Sequence, residues 1–569
     1  MDLQKKPRLL GKKRIAVLAA GIAFLCLMPF AYWGVGEIDH QFANFTAVGF
    51  TLLGGLLVAC AVLTWVSWKW SVGLVVLLAV GVFSATQVLE FKGFTGELRP
   101  VFVLKGRGTS TKTVLRPDAS TDDANPEWLA QLSRSSSSQL LGNDRNGRID
   151  SPEFSTRWEE SPPKMLWKRP IGLGWSGTVV RDGKIYTLYQ SDRDETIAAL
   201  DLVSGATLWE TKIPGYHSHP LGGTGPRATP TLFGDYLISQ TASGHLVVCK
   251  SDSGIIVWRK DLIALGGWTL AESEKAITWG RSGSPLIVDR NGIPSIVIPL
   301  GGSKNHSEPI SLAAFDLAGG DLLWRAGRDQ ISYSSPVELE IEGQRQIVTI
   351  QEDFVVSYSI DDGREYWRAP WPSKSDADAC ASQPVLVGKN RILLGKGYAQ
   401  GSKLIEISVS GDDTSENRSW SVRTIWDYTS LLKTKFTSAI HFQGKLFGLS
   451  DGVLECVNPD TGKRVWKKGR YGQGHALVVN DRLLVSTEDG RVVLVEPETG
   501  EAPYELQVIQ GITWNIPTVA GPFLIVRNGE EIACLYSPLE HPESLKHSSQ
   551  LNHAGQSGES QQLSAVEEE

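Results

Sequence analysis

The rhythm of apolar and polar positions changes near residue 90. Before it, residues 15–36 ("IAVLAAGIAFLCLMPFAYWGVG"), 41–68 and 70–89 run without a charge. Each run reaches the roughly 20 residues a helix needs to cross a bilayer core, so the pattern predicts transmembrane helices at 15–36, 43–67 and 70–89. A cleavable signal peptide is the competing reading of the first run, but no small-residue cleavage site follows it. "LVAC", ending at Cys60, has the form of a lipoprotein box yet lies deep inside the second run. Residues 91–140 are rich in Ser, Thr and Asp ("STDDANPEWLAQLSRSSSSQ") and read as a linker. From 141 to 540 the chain is written in short alternating runs broken by Gly and Asp. Residues 541–569 are polar, without an apolar period, and read as a disordered tail.

Inside 141–540 the short runs recur in a fixed order. "TPTLFGDYLISQTASGHLVVCKSDSGIIVWRK" parses as strand, "GD" turn, strand, "SG" turn, strand, "SDSG" turn, strand. The last of these strands carries a repeated signature. "AALDLVSGATLWE" (198–210) and "AAFDLAGGDLLWR" (313–325) share A-x-D-x-x-x-G-x-x-x-W. Relaxed to G-x-x-x-W, the signature returns at Gly254–Trp258, Gly363–Trp367 and Gly462–Trp466. Tyr504 fills the aromatic slot after Gly500, and Trp426 fills it after an insertion. Segments of small residues leading into an apolar strand alternate with these aromatics, from "GWSGTVV" (174–180) to "WNIPTVA" (514–520). The spacing, mostly in the forties to fifties, is that of a four-stranded propeller blade. The fold class is therefore all-β, an eight-bladed β-propeller of four-stranded antiparallel blades preceded by three transmembrane α-helices. The last unit lacks an outer strand, while Trp167 in "PPKMLWKRP" lacks a unit. One N-terminal strand completing the last blade would serve both and close the ring.

Composition agrees. The chain of 569 residues holds 58 Gly and 19 Trp, which suits many tight turns and large docking side chains. Its net charge of −7 and lack of a basic stripe beyond the N-terminus exclude nucleic acid as the expected partner. "KKPRLLGKKR" before the first run places residues 1–14 in the cytoplasm; Lys69, flanked by Trp65, Trp68 and Trp70, marks the return to that side. Three crossings then put the propeller outside, on the periplasmic side of the inner (cytoplasmic) membrane. The six cysteines form neither C-x-x-C nor an adjacent pair and read as small buried hydrophobes or membrane-run residues.

The A-x-D-x-x-x-G-x-x-x-W signature resembles the tryptophan-docking motif of the pyrroloquinoline quinone (PQQ) repeat. The wider order ("LLGNDRNG", "PPKMLWKRPIG", "GPRATP", "GSPLIV", "YSSPV", "TGKRVW") is similar to membrane-anchored PQQ-like propeller proteins of planctomycete-type bacteria. The resemblance covers about residues 140–540 and implies kinship with quinoprotein dehydrogenases and with outer-membrane-assembly propellers. It makes PQQ a possible cofactor. Two features of the dehydrogenases are missing: the vicinal cysteine pair, and a Glu, Asn and Asp set for calcium that can be matched residue by residue. "NDRNGRID" (143–150) lacks the alternating oxygens and final Glu of an EF-hand loop and reads as a lead-in turn.

Strand starts line the centre of a propeller. The candidate ligand-binding residues are therefore Arg227, Arg281, Tyr333, Lys435, Trp514 and Asn515, with Trp175 and Tyr471 beside them. Cations and aromatics together suit a planar anion; filling and solvating an empty channel is the blander alternative. His217 and His219 would make half a metal site, and the i, i+2 pair reads more simply as loop. The expected role is a binding or assembly scaffold with protein partners on long loops ("SEKAITWGR", "GGSKNHSEP", 407–425). The alternative is a PQQ-dependent oxidoreductase.

Overall fold

Each repeat folds into one antiparallel sheet of four main strands, and eight such sheets form a β-propeller. The computed structural model describes residues 6–36, 40–65, 68–105, 132–301, 310–372, 379–411 and 418–539. Blades 1 to 7 occupy 179–214, 231–261, 286–326, 337–370, 385–428, 440–470 and 475–507. Blade 8 joins Thr518–Ala520, Phe523–Arg527 and Glu531–Tyr536 to β4 (Lys164–Pro170), which pairs antiparallel with Glu531–Tyr536 as the outer strand. The N-terminal strand thus closes the ring, as the orphaned Trp167 required.

The repeated tryptophans hold the blades together. The indole N–H groups of Trp167, Trp209, Trp258, Trp324, Trp426 and Trp466 donate to carbonyls of the next blade at 2.7–3.2 Å. Every blade's tryptophan sits beside a register shift in its outer strand pair; blade 7, with Tyr504 in the slot, has none. Bulges re-aim side chains, and here one presents each ring to its neighbour. The motif glycine receives that ring. A Cβ at Gly205, Gly254, Gly320, Gly363 or Gly500 would stand 2.4–2.8 Å from the indole of the preceding blade. These glycines also lie at φ between +68° and +72°, so shape and backbone both demand them. The motif aspartates bind the turn: Asp201 Oδ1 accepts from the N–H of Val203 and Ser204. Blade 4 departs from the rule. Blade 5 has a long outer hairpin (Gly401–Ser410, Ser419–Tyr428) where the glycine turn would be, and Trp367 donates instead to Gln346 of its own blade.

Three helices precede the ring: α1 (Lys6–Gly36), α2 (His40–Trp65) and α3 (Trp68–Val88). One segment among the described residues, Thr46–Leu63, is long and apolar enough to cross a membrane; Arg14–Phe30 and Val75–Val88 are shorter apolar stretches.

The stretch 91–140, expected as a linker, contains ordered structure at both ends. Helix α3 runs directly into a hairpin of β1 (Leu89–Phe94) and β2 (Pro100–Leu104). Residues 135–149 pass along the inner strands of the ring. Ser137 bridges Val180 of blade 1, and Ser138 O accepts from Leu232 of blade 2. Arg145 donates to Ser284 O at 2.6 Å and Pro285 O at 3.0 Å just before blade 3. β3 (Arg148–Ile149) pairs parallel with Val478 and Val479 of blade 7. "NDRNGRID", expected as a lead-in turn, is a turn over 141–145 that runs into β3, mostly exposed but with Arg145 and Gly147 buried against the ring. The tail expected at 541–569 lies outside the described residues.

Candidate functional site

Between this inner segment and the β1–β2 turn lies a cavity of about 200 Å³. Leu140 contributes from the inner segment, and Thr95, Gly96 and Leu98 contribute from the turn. The turn is seated by Gly96 N–H donating to Glu488 Oε1 at 2.5 Å and by Glu97, whose carboxylate lies 3.1 Å from Arg470. A Cβ at Gly96 would meet Gln473 Cβ at 2.7 Å, so this position fits the ring only as glycine.

The wall is aromatic. Trp514 packs against Trp175 at 4.8 Å and against Phe436 at 5.0 Å between ring centroids, and Trp279 against Tyr333 at 5.6 Å. The ring N–H groups point away from the space, that of Trp514 to Glu488 and that of Trp175 to Gly222 O. Arg227 is largely spent on the carbonyls of Gly222 and Gly223, at 2.7 and 3.0 Å. Burial pulls its guanidinium down to about 10, leaving it charged at neutral pH. Lys435 differs. Its side chain is fully buried, its Nζ lies 3.8 Å from Asp451 Oδ1 and 5.7 Å above the Tyr398 ring, and it has no hydrogen-bond partner. His475 gives Nε2 to Trp514 O at 2.8 Å, and burial lowers its pKa to about 4, so the ring is neutral.

Of the residues expected here, Arg227, Tyr333, Lys435 and Trp514 line the cavity, as does Trp175. Arg281, Asn515 and Tyr471 do not. Arg281 is buried beside a smaller void with His217, where it donates to Leu300 O and Ser273 Oγ. Asn515 ties blade 8 to the start of blade 1 through Gly174 O and Ser176 O. The cause is the two-residue period of extended chain. Ser282 and Ser284 face the cavity while Arg281 turns away, and Trp514 and Ile516 face it while Asn515 turns away; Lys435 and Phe436, off a regular strand, both reach it. Trp279 was not anticipated. It follows the short helix Leu270–Ala276, inside one of the expected recognition loops. His217 is buried with its pKa lowered to about 4, first by burial and then by Arg227. No metal-holding group of His, Cys, Asp and Glu exists among the described residues.

These residues can hold a small planar anion: Lys435 supplies charge, and Trp514 and Phe436 supply ring faces. They do not fit metal-assisted quinone oxidation. Among the described residues no carboxylate or thiol lines the cavity, and the six cysteines are all free.

The sequence matches the PQQ_2 family, described as "Outer membrane protein assembly factor BamB", over residues 193–441 and 450–557, and the chain belongs to that family. No curated protein matches it. Among solved structures, it resembles a europium-containing methanol dehydrogenase at 10% identity, covering 72% of this chain and 100% of that one, with a TM-score of 0.42. It resembles quinohemoprotein alcohol dehydrogenase from Comamonas testosteroni at 12% identity, over 74% and 83% of the chains, with a TM-score of 0.38. BamB from Moraxella catarrhalis shares 15% identity over 64% and 84%, with a TM-score of 0.32.

Proposed function

We propose that this PQQ-like propeller is a membrane-anchored, extracytoplasmic scaffold that binds other proteins and carries out no redox chemistry of its own. One observation carries the reading: the central cavity is narrowed by the inner segment on one side and by the β1–β2 turn on the other, and among the described residues its wall holds no carboxylate or thiol and no cluster of metal-donor groups. At about 200 Å³ it is smaller than the roughly 300–1,000 Å³ of common ligand pockets. Recognition then falls to the outside of the ring, where outer-strand residues such as Leu208, Ile256, Val257 and Val465 and the adjoining turn residue Ile255 are exposed.

Support for anchoring by three crossings comes from charge and from where the helix ends lie. The basic N-terminus favours the cytoplasm. The end of α1, the start of α2 and the end of α3 all reach the hairpin. Tyr32 accepts from Arg99, Asn44 donates to Glu97 O, and Val88 precedes Leu89. An odd number of crossings fits that arrangement and sets the ring on the far side, in the periplasm of a bacterium with an inner membrane.

A quinone-dependent oxidoreductase is the second reading, favoured by the Lys435 amino group, which is buried in an aromatic cavity and ion-paired to Asp451 at 3.8 Å but makes no hydrogen bond. Adding PQQ with Ca²⁺ to the full-length protein and following dye reduction and thermal shift separates the two. The scaffold reading expects no dye reduction. Dye reduction that Lys435→Ala abolishes would overturn it.

A further inference from the structure

We propose that the outer face of the β1–β2 hairpin is a lipid-docking surface, seated in the membrane–water interface. The inference rests on the membrane-anchored reading and goes beyond it, because a linker leaving a helix end needs no contact with lipid at all.

An isolated two-stranded hairpin is marginal in water. This one exposes Phe91 at 48%, Phe102 at 57% and Leu104 at 45%, which water would penalise further. Phe91 lies opposite Phe102 in register, with centroids 5.4 Å apart, and packs edge-on against Phe94 at 5.1 Å. The propeller holds only the far end of the hairpin, through Gly96, Glu97 and the Lys92–Glu530 pair. The aromatics therefore need another partner.

Their position says which. Both ends of the hairpin are rooted at the end of α3: Leu89 follows Val88, and Lys105 returns its N–H to Val88 O at 2.6 Å and its Nζ to Thr86 O. Phe91, Phe102 and Leu104 lie in the root half, next to the exposed Val88 that ends the helix. At about 3.3 Å per residue the strands span roughly 20 Å, so the tip reaches the cavity while the root stays at the helix end. Apolar side chains such as Phe and Leu bury at the boundary of headgroups and acyl chains, which is this depth of a bilayer. Charge does not oppose the placement. Lys92 is paired with Glu90 at 3.2 Å and with Glu530 at 2.9 Å, which hold its pKa above the usual lysine value. The hairpin is then a strap with lipid at its root and the cavity under its tip. The ring turns its cavity face to the membrane and leaves its rim and opposite face for partners.

The test uses the full-length protein in vesicles of phosphatidylcholine and phosphatidylglycerol, in a Cys26→Ser, Cys60→Ser background that leaves only buried cysteines. Spin labels are placed at Phe102→Cys and, as a water-exposed reference, at Ile255→Cys on the rim of blade 2. The expected result is loss of relaxation by a water-soluble nickel chelate at 102, with strong relaxation by oxygen, and the reverse at 255. Equal chelate access at both sites in protein that resists alkaline extraction overturns the docking surface while the anchor stands. A label at 102 screened from both agents means that protein, a second copy included, covers the face, and also overturns it. Protein washed off at alkaline pH removes the anchor and the inference together. Leu104→Cys repeats the measurement should Phe102→Cys fold poorly.

Discussion

Two segments narrow the same channel, and they do so by opposite means. The inner segment, 135–149, is stitched into the ring by backbone bonds. It bridges Val180, receives Leu232 N–H, runs parallel to Val478 and Val479, and sends Arg145 to two carbonyls before blade 3. The hairpin tip, 95–98, rests on the ring through one backbone N–H and one half-exposed ion pair. The first is part of the fold; the second is an attachment carried by the helices. A closure made of inner-strand hydrogen bonds opens only when the ring does. A closure made of a carboxylate and an arginine opens by itself.

The sharpest way to break that contrast is Arg145→Ala. Arg145 is buried, and desolvation lowers its pKa to about 9, so it stays charged at neutral pH. Its loss takes the donor from Ser284 O, leaves Pro285 O with the Thr231 hydroxyl alone, and opens a void along the inner strands. The expected cost is about 4 kcal/mol of ring stability, read as a lower urea midpoint of tryptophan fluorescence in the full chain. A midpoint shift of under about 0.5 kcal/mol would make the inner segment as peripheral as the hairpin.

The second effect sharpens the contrast by pH. His475 opens the strand that pairs with β3 and also walls the cavity under the hairpin. Its folded pKa, lowered by burial to about 4, lies below the unfolded value of about 6.5. Between those values the unfolded chain binds more protons than the folded one, so stability falls as pH drops from about 6.5 to 4. The full span amounts to about 3 kcal/mol. The ring's melting temperature should decline over that window, and His475→Gln should flatten the slope. What is left is due to His217 and, to a lesser degree, to His219, His245 and His441, whose pKa values burial also lowers. A slope unchanged by His475→Gln would show the imidazole to be protonated in the fold.

The ring was legible in the sequence for a local reason. Most blades need a glycine at positive φ under the indole of the blade before, so the same two residue types recur four apart wherever that contact is made. The seam was legible because Trp167 had no blade. The two closures were not. "SSSSQLLGNDRNG" has neither helical nor strand period, since its partners are carbonyls and amides of distant inner strands, and nothing in a Ser or Asn says which carbonyl it will meet. The candidate site was half legible for a similar reason. Strand starts do line the cavity, but alternation admits Trp514 and Ile516 while turning Asn515 into the ring, and the register follows only from the fold.

The smallest effect is the most discriminating, because it separates a closure from the fold it closes. Glu97 is buried against Arg470 at 3.1 Å and Arg99 at 3.2 Å, both of which are about half exposed. Such a pair contributes on the order of 1 kcal/mol, and only to states in which the tip is seated. Glu97→Gln should leave the urea midpoint of the ring within experimental scatter. It should also speed amide hydrogen exchange across 89–104 by roughly fivefold, the change that about 1 kcal/mol of local opening produces. Exchange across 135–149 should not change, since those amides are protected by the ring and not by the strap. Matching acceleration in both segments would mean that they open together, as one closure with two faces. Acceleration in neither would mean that the tip is held by the helices alone, through Asn44 and Tyr32, with the ring as a passive seat.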